Sequence, residues 1–343
     1  MNAANPHVSA EKRGVLGLLT LRRPAALNAL DLGMVEALAA ALDTWAVDED
    51  VTVVAIRGEG SRAFCAGGDI RAWVAQGREA ALAFLRAEYH LNYRIATYPK
   101  PFVALMHGVT MGGGAGLSVH ARYRLADPGL VFAMPEAAIG FVPDVGSTYF
   151  LARCPEGLGL YLALTAARMG QGDVIAVGLA DRAVAMTAFE TLLEALARGD
   201  DIACAIDAVA GKPGPAPLAL EQARIAALFA AASVEGVLER LAREDSAFAR
   251  QAAAAIRANA PTSLKLAFDL LRRGVRLDLA QCLAQEYRAA AHLLARHDLK
   301  EGVRAALIDK DRAPKWQPAA LAAVTEADIA ALTADDPAIP AFE

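Results

Sequence analysis

Apolar residues in the first two hundred positions alternate between runs of strand length and stripes at helical spacing. The run 51–57 is rich in valine and ends at a Gly-Glu-Gly turn, and the run 102–106 precedes a longer glycine-rich segment, so both predict buried strands. Asp31 precedes an apolar stripe that contains Val35 and Leu42, which predicts a capped helix. The alternation of the two patterns predicts an α/β fold.

The same patterns predict the remaining elements. Helices are predicted at 78–96, 113–120, 146–153, 158–166 and 171–177, and short strands at 123–126 and 130–133. Past residue 200 no strand is predicted, and a proline-rich loop at 211–217 is followed by predicted helices at 218–231, 233–242, 245–258, 261–273 and 277–296. We therefore predict a core over 14–205 and an α-helical C-terminal region of the same domain over 206–343.

Composition and charge exclude several classes of protein. Of the 343 residues, 55% are hydrophobic and 21% are charged, which is typical of a folded chain rather than a disordered one. The net charge is −5 without a long basic run, so nucleic-acid binding has no electrostatic support. The longest apolar stretch, 103–121, is interrupted by two histidines and five glycines, so no membrane span is predicted.

The cysteines and the amino terminus bear on location and metal binding. The four cysteines are widely spaced and form no Cys-x-x-Cys pair, which predicts reduced thiols and neither a metal site nor a disulfide framework. The first fourteen residues lack the apolar run of a secretory signal. We therefore expect a cytoplasmic protein without a bound metal.

Two glycine-rich segments, 64–70 and 111–116, share one design. Each follows a strand and opens a helix, where glycine brings backbone N–H groups close to a ligand and the first helical turn adds unpaired donors. Two such amides from different loops would form an oxyanion hole. The alternative is tight packing between helix and strand. A dinucleotide site is excluded because the glycines at 112, 113, 114 and 116 do not fit the G-x-G-x-x-G spacing.

Acidic residues near these segments are candidates for chemistry. Glu136 lies between two apolar runs, so partial desolvation would make it a base or a nucleophile; the alternative is a helix-terminal glutamate that faces water. On local sequence alone, Asp144 is a Pro-Asp turn residue and Glu88 a solvated helix residue. Cys65 is expected to be a small packed residue rather than a nucleophile.

Together, these segments resemble blocks of the enoyl-CoA hydratase/isomerase (crotonase) superfamily. The superfamily blocks correspond to 23–30, 63–70 and 108–116 of this sequence. Within the superfamily, the 3-hydroxyisobutyryl-CoA hydrolase family is most similar, through 107–114, 132–136, 141–146 and the late stretch 301–316. The resemblance extends from about residue 14 to residue 318.

The resemblance implies a spiral of ββα turns that binds a coenzyme A thioester, without a further cofactor. The thioester carbonyl would lie between the backbone amides of Gly68 and Gly113, and Glu136 would be the principal catalytic carboxylate. Asp144 would position the acyl hydroxyl or the water. The other substrate-binding residues that the resemblance implies are Glu88, Leu27, Ala66, Asp69 and Ile70. Members often form trimers, so a homo-oligomer, a trimer or a hexamer, is possible.

One departure separates the activities within this superfamily. Crotonase-type hydratases hold water between two glutamates, and one of these falls where this chain has Gly116. The resemblance therefore implies hydrolysis of a 3-hydroxyacyl-CoA, most closely 3-hydroxyisobutyryl-CoA in valine breakdown. Ser147 and Thr148 stand where that family usually shows glycines. Two alternatives remain: an enoyl- or dienoyl-CoA isomerase or hydratase, and a non-catalytic acyl-CoA-binding protein, against which Glu136 and Asp144 argue.

Overall fold

The structure, a computed structural model, describes residues 5–334 and residue 342. The strands in this part are β1 Val8–Arg13, β2 Leu16–Leu21, β3 Val53–Gly58, β4 Ala63–Cys65, β5 Phe102–Met106, β6 Val109–Met111, β7 Tyr123–Ala126, β8 Val131–Ala133, β9 Arg182–Val184 and β10 Ala210–Gly211.

The α-helices of the same part alternate with the strands at first and then follow one another. They are α1 Leu32–Val47, α2 Ile70–Gln76, α3 Arg78–Ala96, α4 Gly113–Val119, α5 Ser147–Phe150, α6 Leu158–Thr165, α7 Gln171–Ala176, α8 Phe189–Arg198, α9 Ile202–Val209, α10 Pro217–Leu220, α11 Gln222–Phe229, α12 Val234–Arg243, α13 Ala247–Ala258, α14 Pro261–Gly274, α15 Leu279–Leu293, α16 His297–Val303 and α17 Glu326–Leu332. A 3-10 turn, Glu136–Ile139, and a π-helical turn, Arg304–Ile308, matter for the site.

The strands form two sheets. The larger sheet has seven strands in the order β1-β2-β3-β5-β7-β9-β10, with parallel pairing from β2 to β9. The smaller sheet has the order β4-β6-β8. The pairs β3–β4, β5–β6 and β7–β8 each give one strand to either sheet before the chain turns into a helical segment. This arrangement confirms the predicted ββα spiral.

Contacts divide the chain into two compact units. Unit 1 comprises the described residues of Met1–Asp69, His90–Phe132 and Met169–Ala219, and unit 2 those of Ile70–Tyr89, Ala133–Arg168 and Leu220–Glu343. In unit 1, the apolar face of the seven-stranded sheet packs against α8 and α9. In unit 2, which is mostly helical, α6 packs against α11, α13 and α14. The division of the sequence at residue 205 stays a prediction.

Many of the predicted elements have the expected bounds. The strands at 102–106 and 123–126 and the helix at 78–96 begin and end at the predicted residues. The expectation of no strand past residue 200 is wrong, because Ala210–Gly211 pairs with β9. A two-residue strand carries no periodic signal, so only its partner defines it. The last long helix begins at Leu279 rather than 277, because the Asp278 side chain caps it.

Candidate active site

The two glycine-rich loops of unit 1 approach each other backbone to backbone. The strands that precede them, β4 and β6, are parallel neighbours with Cys65 opposite Thr110. A Cβ atom built on Gly114 would lie 2.1 Å from the Cys65 carbonyl oxygen, and one built on Gly67 would lie 3.3 Å from Gly113 N. Glycine is therefore required for close packing here. Cys65 is fully buried, as expected of a packed residue.

The amides of Gly68 and Gly113 are the two predicted oxyanion donors. Gly113 is the first residue of α4, so its N–H has no acceptor within the helix. Leu30 N donates to Gly67 O and Asp69 N donates to Leu30 O, both at 2.8 Å. Because peptide groups alternate in direction along an extended chain, the Gly68 N–H points away from Leu30. Neither the Gly68 N–H nor the Gly113 N–H is the donor in these backbone hydrogen bonds.

A tight loop in unit 1 brings further predicted binding residues together. Leu27 adopts a left-handed conformation with φ 53°, and its carbonyl oxygen accepts a hydrogen bond from Ala66 N at 3.0 Å. The fully buried Asn28 accepts from Arg23 N at 2.9 Å, and the Arg23 guanidinium pairs with Asp69 at 2.9 Å. Leu27, Ala66 and Asp69 therefore belong to one connected loop cluster.

Glu88 lies in the α3 segment of unit 2 and is only 1% exposed. The expectation of a solvated helix residue is therefore wrong. Phe84, Leu85 and Leu91 are also buried, so Glu88 occupies the apolar stripe of α3 at helical spacing. That spacing was a sequence signal that could have revealed its burial.

Glu136 begins the 3-10 turn of unit 2, directly after Pro135, and is 6% exposed. The alternative of a glutamate that faces water is wrong. Its Oε2 atom is buried and has no hydrogen-bond partner among the described residues. Its backbone carbonyl accepts from Phe141 N at 3.0 Å, and the Phe141 ring packs edge-on against Trp73 with centroids 6.0 Å apart. Burial thus desolvates this carboxyl group.

Asp144 is a turn residue, as local sequence predicted, but its side chain is buried with 5% exposure. Ser147 N donates to its backbone carbonyl at 2.9 Å. The hydroxyl of Tyr89, which is fully buried, donates to Asp144 Oδ2 at 2.7 Å. The role of Tyr89 is not predicted from the sequence.

Late in the chain, the stretch that carries the family resemblance packs against the turn of Glu136. A Cβ atom on Gly302 would lie 2.4 Å from the Ile139 carbonyl carbon, so α16 and the 3-10 turn touch through backbone. Arg304 pairs with Glu301, and the Glu301 carboxylate also accepts from Lys315 N at 2.8 Å. This stretch therefore supports the turn that begins with Glu136.

Burial raises the pKa values of three predicted site acids in unit 2, Glu88, Glu136 and Asp144. Burial first, and then the charge of Asp144, raise the pKa of both Glu136 and Glu88 well above the ordinary value. Burial raises the pKa of Asp144 to about 7, against the lowering effect of the Tyr89 hydrogen bond. Because these groups influence one another, they lose their protons in successive steps. These carboxyl groups therefore keep their protons to a higher pH than exposed carboxyl groups do.

A fourth acid, Glu286, is not among the site residues predicted from the sequence. It lies in α15, is fully buried, and accepts hydrogen bonds from Gly146 N at 2.7 Å, Thr148 N at 2.7 Å and Thr148 Oγ1 at 2.6 Å. Leu283 and Ala290, at helical spacing on either side, are buried as well. The position of Glu286 in this stripe was the available signal.

Three absences are predicted for this chain: a metal site, a membrane span and a disulfide framework. In the described residues, no group of three or more His, Cys, Asp and Glu side chains has an arrangement that could hold a metal ion. No helix within 5–334 is both long and apolar enough to cross a membrane. None of the four cysteines forms a disulfide.

Sequence comparisons relate the chain to a known family. The family described as enoyl-CoA hydratase/isomerase matches residues 16–333. The mitochondrial 3-hydroxyisobutyryl-CoA hydrolase of Danio rerio is 44% identical over 94% of this chain and 88% of its own length. The Homo sapiens protein of the same name is 40% identical over 95% of this chain and 88% of its own length.

Solved structures share the fold over nearly the whole chain. A carnitinyl-CoA dehydratase from Mycobacterium thermoresistibile has a TM-score of 0.94 and 39% identity, covering 99% of both chains. An enoyl-CoA hydratase from Rhodobacter sphaeroides 2.4.1 has a TM-score of 0.88 and 42% identity, covering 96% of this chain and 97% of its own. The family match covers most of the sequence and agrees with the ββα architecture. The chain therefore belongs to the enoyl-CoA hydratase/isomerase family.

Proposed function

We propose that this protein hydrolyses a 3-hydroxyacyl-CoA thioester, with 3-hydroxyisobutyryl-CoA as its preferred substrate. Relatives that are 40–44% identical carry the name 3-hydroxyisobutyryl-CoA hydrolase and align over more than nine-tenths of the chain. The observation that carries the proposal is the buried, desolvated Glu136 in a chain with Gly116 at the position of a hydratase's second glutamate. The reaction would belong to valine breakdown.

The amides of Gly68 and Gly113 stabilise the oxyanion in this proposal. When the thioester carbonyl becomes tetrahedral, negative charge develops on its oxygen, and preorganised N–H donors lower the energy of that state. Removal of one such donor typically costs about 10²–10³ in rate. The position of Gly113 at a helix amino terminus adds the positive end of the helix dipole. The carbonyl would therefore need no metal ion for polarisation.

Glu136 acts as the catalytic carboxylate in this proposal. As a nucleophile it would form an anhydride that water cleaves, and as a base it would take a proton from the attacking water. Both routes convert thioester and water into a carboxylic acid and the coenzyme A thiol. Both also require the ionised carboxylate. Asp144 and Glu88, which are buried and polar, would bind the acyl hydroxyl or the water.

Hydration of an enoyl-CoA, or isomerisation of a dienoyl-CoA, is the second candidate. It is favoured by the solved structures named as a dehydratase and a hydratase, at 39% and 42% identity. Against hydration, Gly116 has no side chain that could complete an acid–base pair, and such a group typically contributes about 10²–10⁴ in rate. An acyl-CoA-binding protein without activity is disfavoured, because a scaffold has no use for desolvated acids.

The deciding experiment measures thiol release and ultraviolet absorbance with four thioesters: 3-hydroxyisobutyryl-, 3-hydroxypropionyl-, crotonyl- and dienoyl-CoA. Free thiol from the two hydroxyacyl esters is the expected result. Loss of the crotonyl or dienoyl absorbance without thiol would instead identify a hydratase or an isomerase. Saturable binding of all four esters without chemical change would identify a binding protein.

Three finer statements also belong to this proposal. The reaction needs no cofactor beyond the coenzyme A of its substrate, so dialysis against EDTA should leave the rate unchanged. Four free cysteines fit a reducing compartment, either the cytoplasm or the mitochondrial matrix, and the vertebrate relatives are named mitochondrial. Cell fractionation tests the expected cytoplasmic location. A trimeric or hexameric assembly stays a prediction, which sedimentation measurements can test.

A further inference from the structure

Asp144 lies at the start of a turn whose backbone is strained. Val145 has φ 55° and Gly146 has φ 84°, so two consecutive residues are left-handed. Glycine tolerates this conformation, but a β-branched valine rarely adopts it. A residue in such a region persists only where surrounding contacts hold it, at a typical cost of about 1–3 kcal/mol. The turn after Asp144 therefore needs an external restraint.

Glu286 supplies that restraint from a different helix. One carboxylate oxygen accepts from Gly146 N at 2.7 Å, and the other accepts from both the amide and the hydroxyl of Thr148. Gln285, its neighbour in α15, donates to Thr148 Oγ1 at 2.9 Å. Adjacent side chains of one helix thus hold both the backbone and the side chain at the end of the turn.

The hydrogen bonds to Glu286 stabilise its ionised form, whereas burial stabilises its protonated form and has the larger effect. Three donors converge on two oxygens, and a carboxylate can accept all of them, whereas an amide side chain would set its own N–H groups against some of the donors. Burial opposes ionisation and raises the pKa of Glu286 to about 8. A fully buried acid is costly unless it is bonded in this way.

We propose that Glu286 is a positioning residue, which fixes the turn Asp144–Thr148 and so holds the Asp144 carboxyl group at the Tyr89 hydroxyl. This inference rests on the proposed hydrolase function, in which Asp144 binds the acyl hydroxyl or the water. Glu286 itself does not touch the substrate. Its loss acts through Asp144, whose bond to Tyr89 is 2.7 Å long in the intact arrangement.

The test compares Glu286→Gln, Thr148→Val and Thr148→Ser with a matched control, Glu239→Gln, on the exposed face of α12. Glu286→Gln should lower kcat for thiol release about a hundredfold, because a displacement of about 1 Å at a catalytic group has an effect of that size. Thr148→Val removes one of three donors and should lower kcat about fivefold. Thr148→Ser keeps the hydroxyl and should have the same kcat as the wild-type enzyme. The control Glu239→Gln should also have the wild-type kcat.

A purely structural role would reduce the amount of folded enzyme without changing kcat per folded active site. If folded Glu286→Gln keeps the wild-type kcat, the positioning role is wrong. If that variant does not fold, Thr148→Val decides, and wild-type kcat in it has the same meaning. A crystal structure of each folded variant provides a readout without turnover, in which the Tyr89–Asp144 distance should exceed 2.7 Å.

This readout separates the two proposals. If the wild-type protein releases no thiol from any hydroxyacyl-CoA, the proposed function is wrong. The crystal structures then still test whether Glu286 holds the Asp144 carboxyl group at the Tyr89 hydroxyl. An unchanged Tyr89–Asp144 bond in Glu286→Gln and Thr148→Val refutes the positioning role, even when the wild-type enzyme is an active hydrolase.

Discussion

The carboxyl group of Glu136 is buried, and its Oε2 atom has no hydrogen-bond partner within the described residues. A buried acid without compensating bonds is unfavourable in its charged form, so its pKa rises. Such a group is a strong base or nucleophile once it is ionised. At the scale of single residues, the fold buries Glu136 and thereby raises its pKa, and this raised pKa makes the carboxylate suitable for the proposed chemistry.

Glu136→Gln should remove thioester cleavage while leaving the fold intact. The amide has nearly the same shape but can neither attack a carbonyl carbon nor accept a proton from water, so we expect kcat to fall about 10³-fold or more. Thiol release measures the effect, and thermal unfolding with coenzyme A titration serves as the control. Turnover close to that of the wild-type enzyme would exclude Glu136 from the mechanism.

The activity should rise as the pH increases through the raised pKa of Glu136. The proposed reaction needs ionised Glu136, and its pKa lies well above the ordinary value because of burial and the charge of Asp144. The active form therefore accumulates only as pH rises through that elevated pKa. A kcat profile from pH 5 to 9 tests this, with a buffer control for thioester stability. A profile that is already flat above pH 5 would contradict it.

At the scale of elements, the junction of β4 and α4 determines where the Gly113 amide lies. Gly114 has no room for a side chain, because a Cβ atom would lie 2.1 Å from the Cys65 carbonyl oxygen. The helix can approach the strand only because this position is glycine. The glycines thus serve packing and, in the proposed mechanism, catalysis together.

Gly114→Ala should therefore displace α4 and the Gly113 amide with it. We expect a loss of about 1–3 kcal/mol in the free energy of unfolding, typical of overpacking, and a decrease of about 10²-fold in kcat. Denaturant unfolding and thiol release measure the two effects. The control is Gly170→Ala in unit 1, where a Cβ atom meets nothing within 4 Å. A wild-type kcat in Gly114→Ala would mean that the packing at this junction does not affect catalysis.

At the scale of the whole molecule, buried acids make stability depend on pH. The pKa of Asp144 is about 7 in the folded protein and near 3.8 in an unfolded chain. Between these values the folded state binds more protons than the unfolded state, so the free energy of unfolding falls as pH rises through this window. One such group contributes a slope of at most about 1.4 kcal/mol per pH unit.

Asp144→Asn should make this slope shallower, because the titrating group is removed while its shape is kept. The measurement is the free energy of unfolding by denaturant at several pH values between 4 and 8. The exposed control Asp245→Asn should keep the wild-type slope, since its side chain is 98% exposed. Equal slopes in Asp144→Asn and the wild-type protein would mean that Asp144 does not titrate in this window.

Several features could be predicted from the sequence because they depend on neighbouring residues. The apolar run 102–106 has few alternatives to a buried strand, and Asp31 caps α1 by accepting from Met34 N at 2.8 Å. The glycine-rich loops were found because glycine has a local conformational meaning. By contrast, the immediate neighbours of Glu88 predict a solvated side chain, and this prediction is wrong because the side chain is buried.

The sequence by itself determined the strand and helix pattern, the family resemblance and the candidate acid Glu136, because each of these depends on residues that are close together in the chain. Only the tertiary structure decided that Asp144 meets Tyr89, 55 residues away, and that Glu286 holds the turn at Thr148, 138 residues away. The physical reason is that a pKa or a hydrogen bond depends on three-dimensional surroundings, which residues distant in the chain supply.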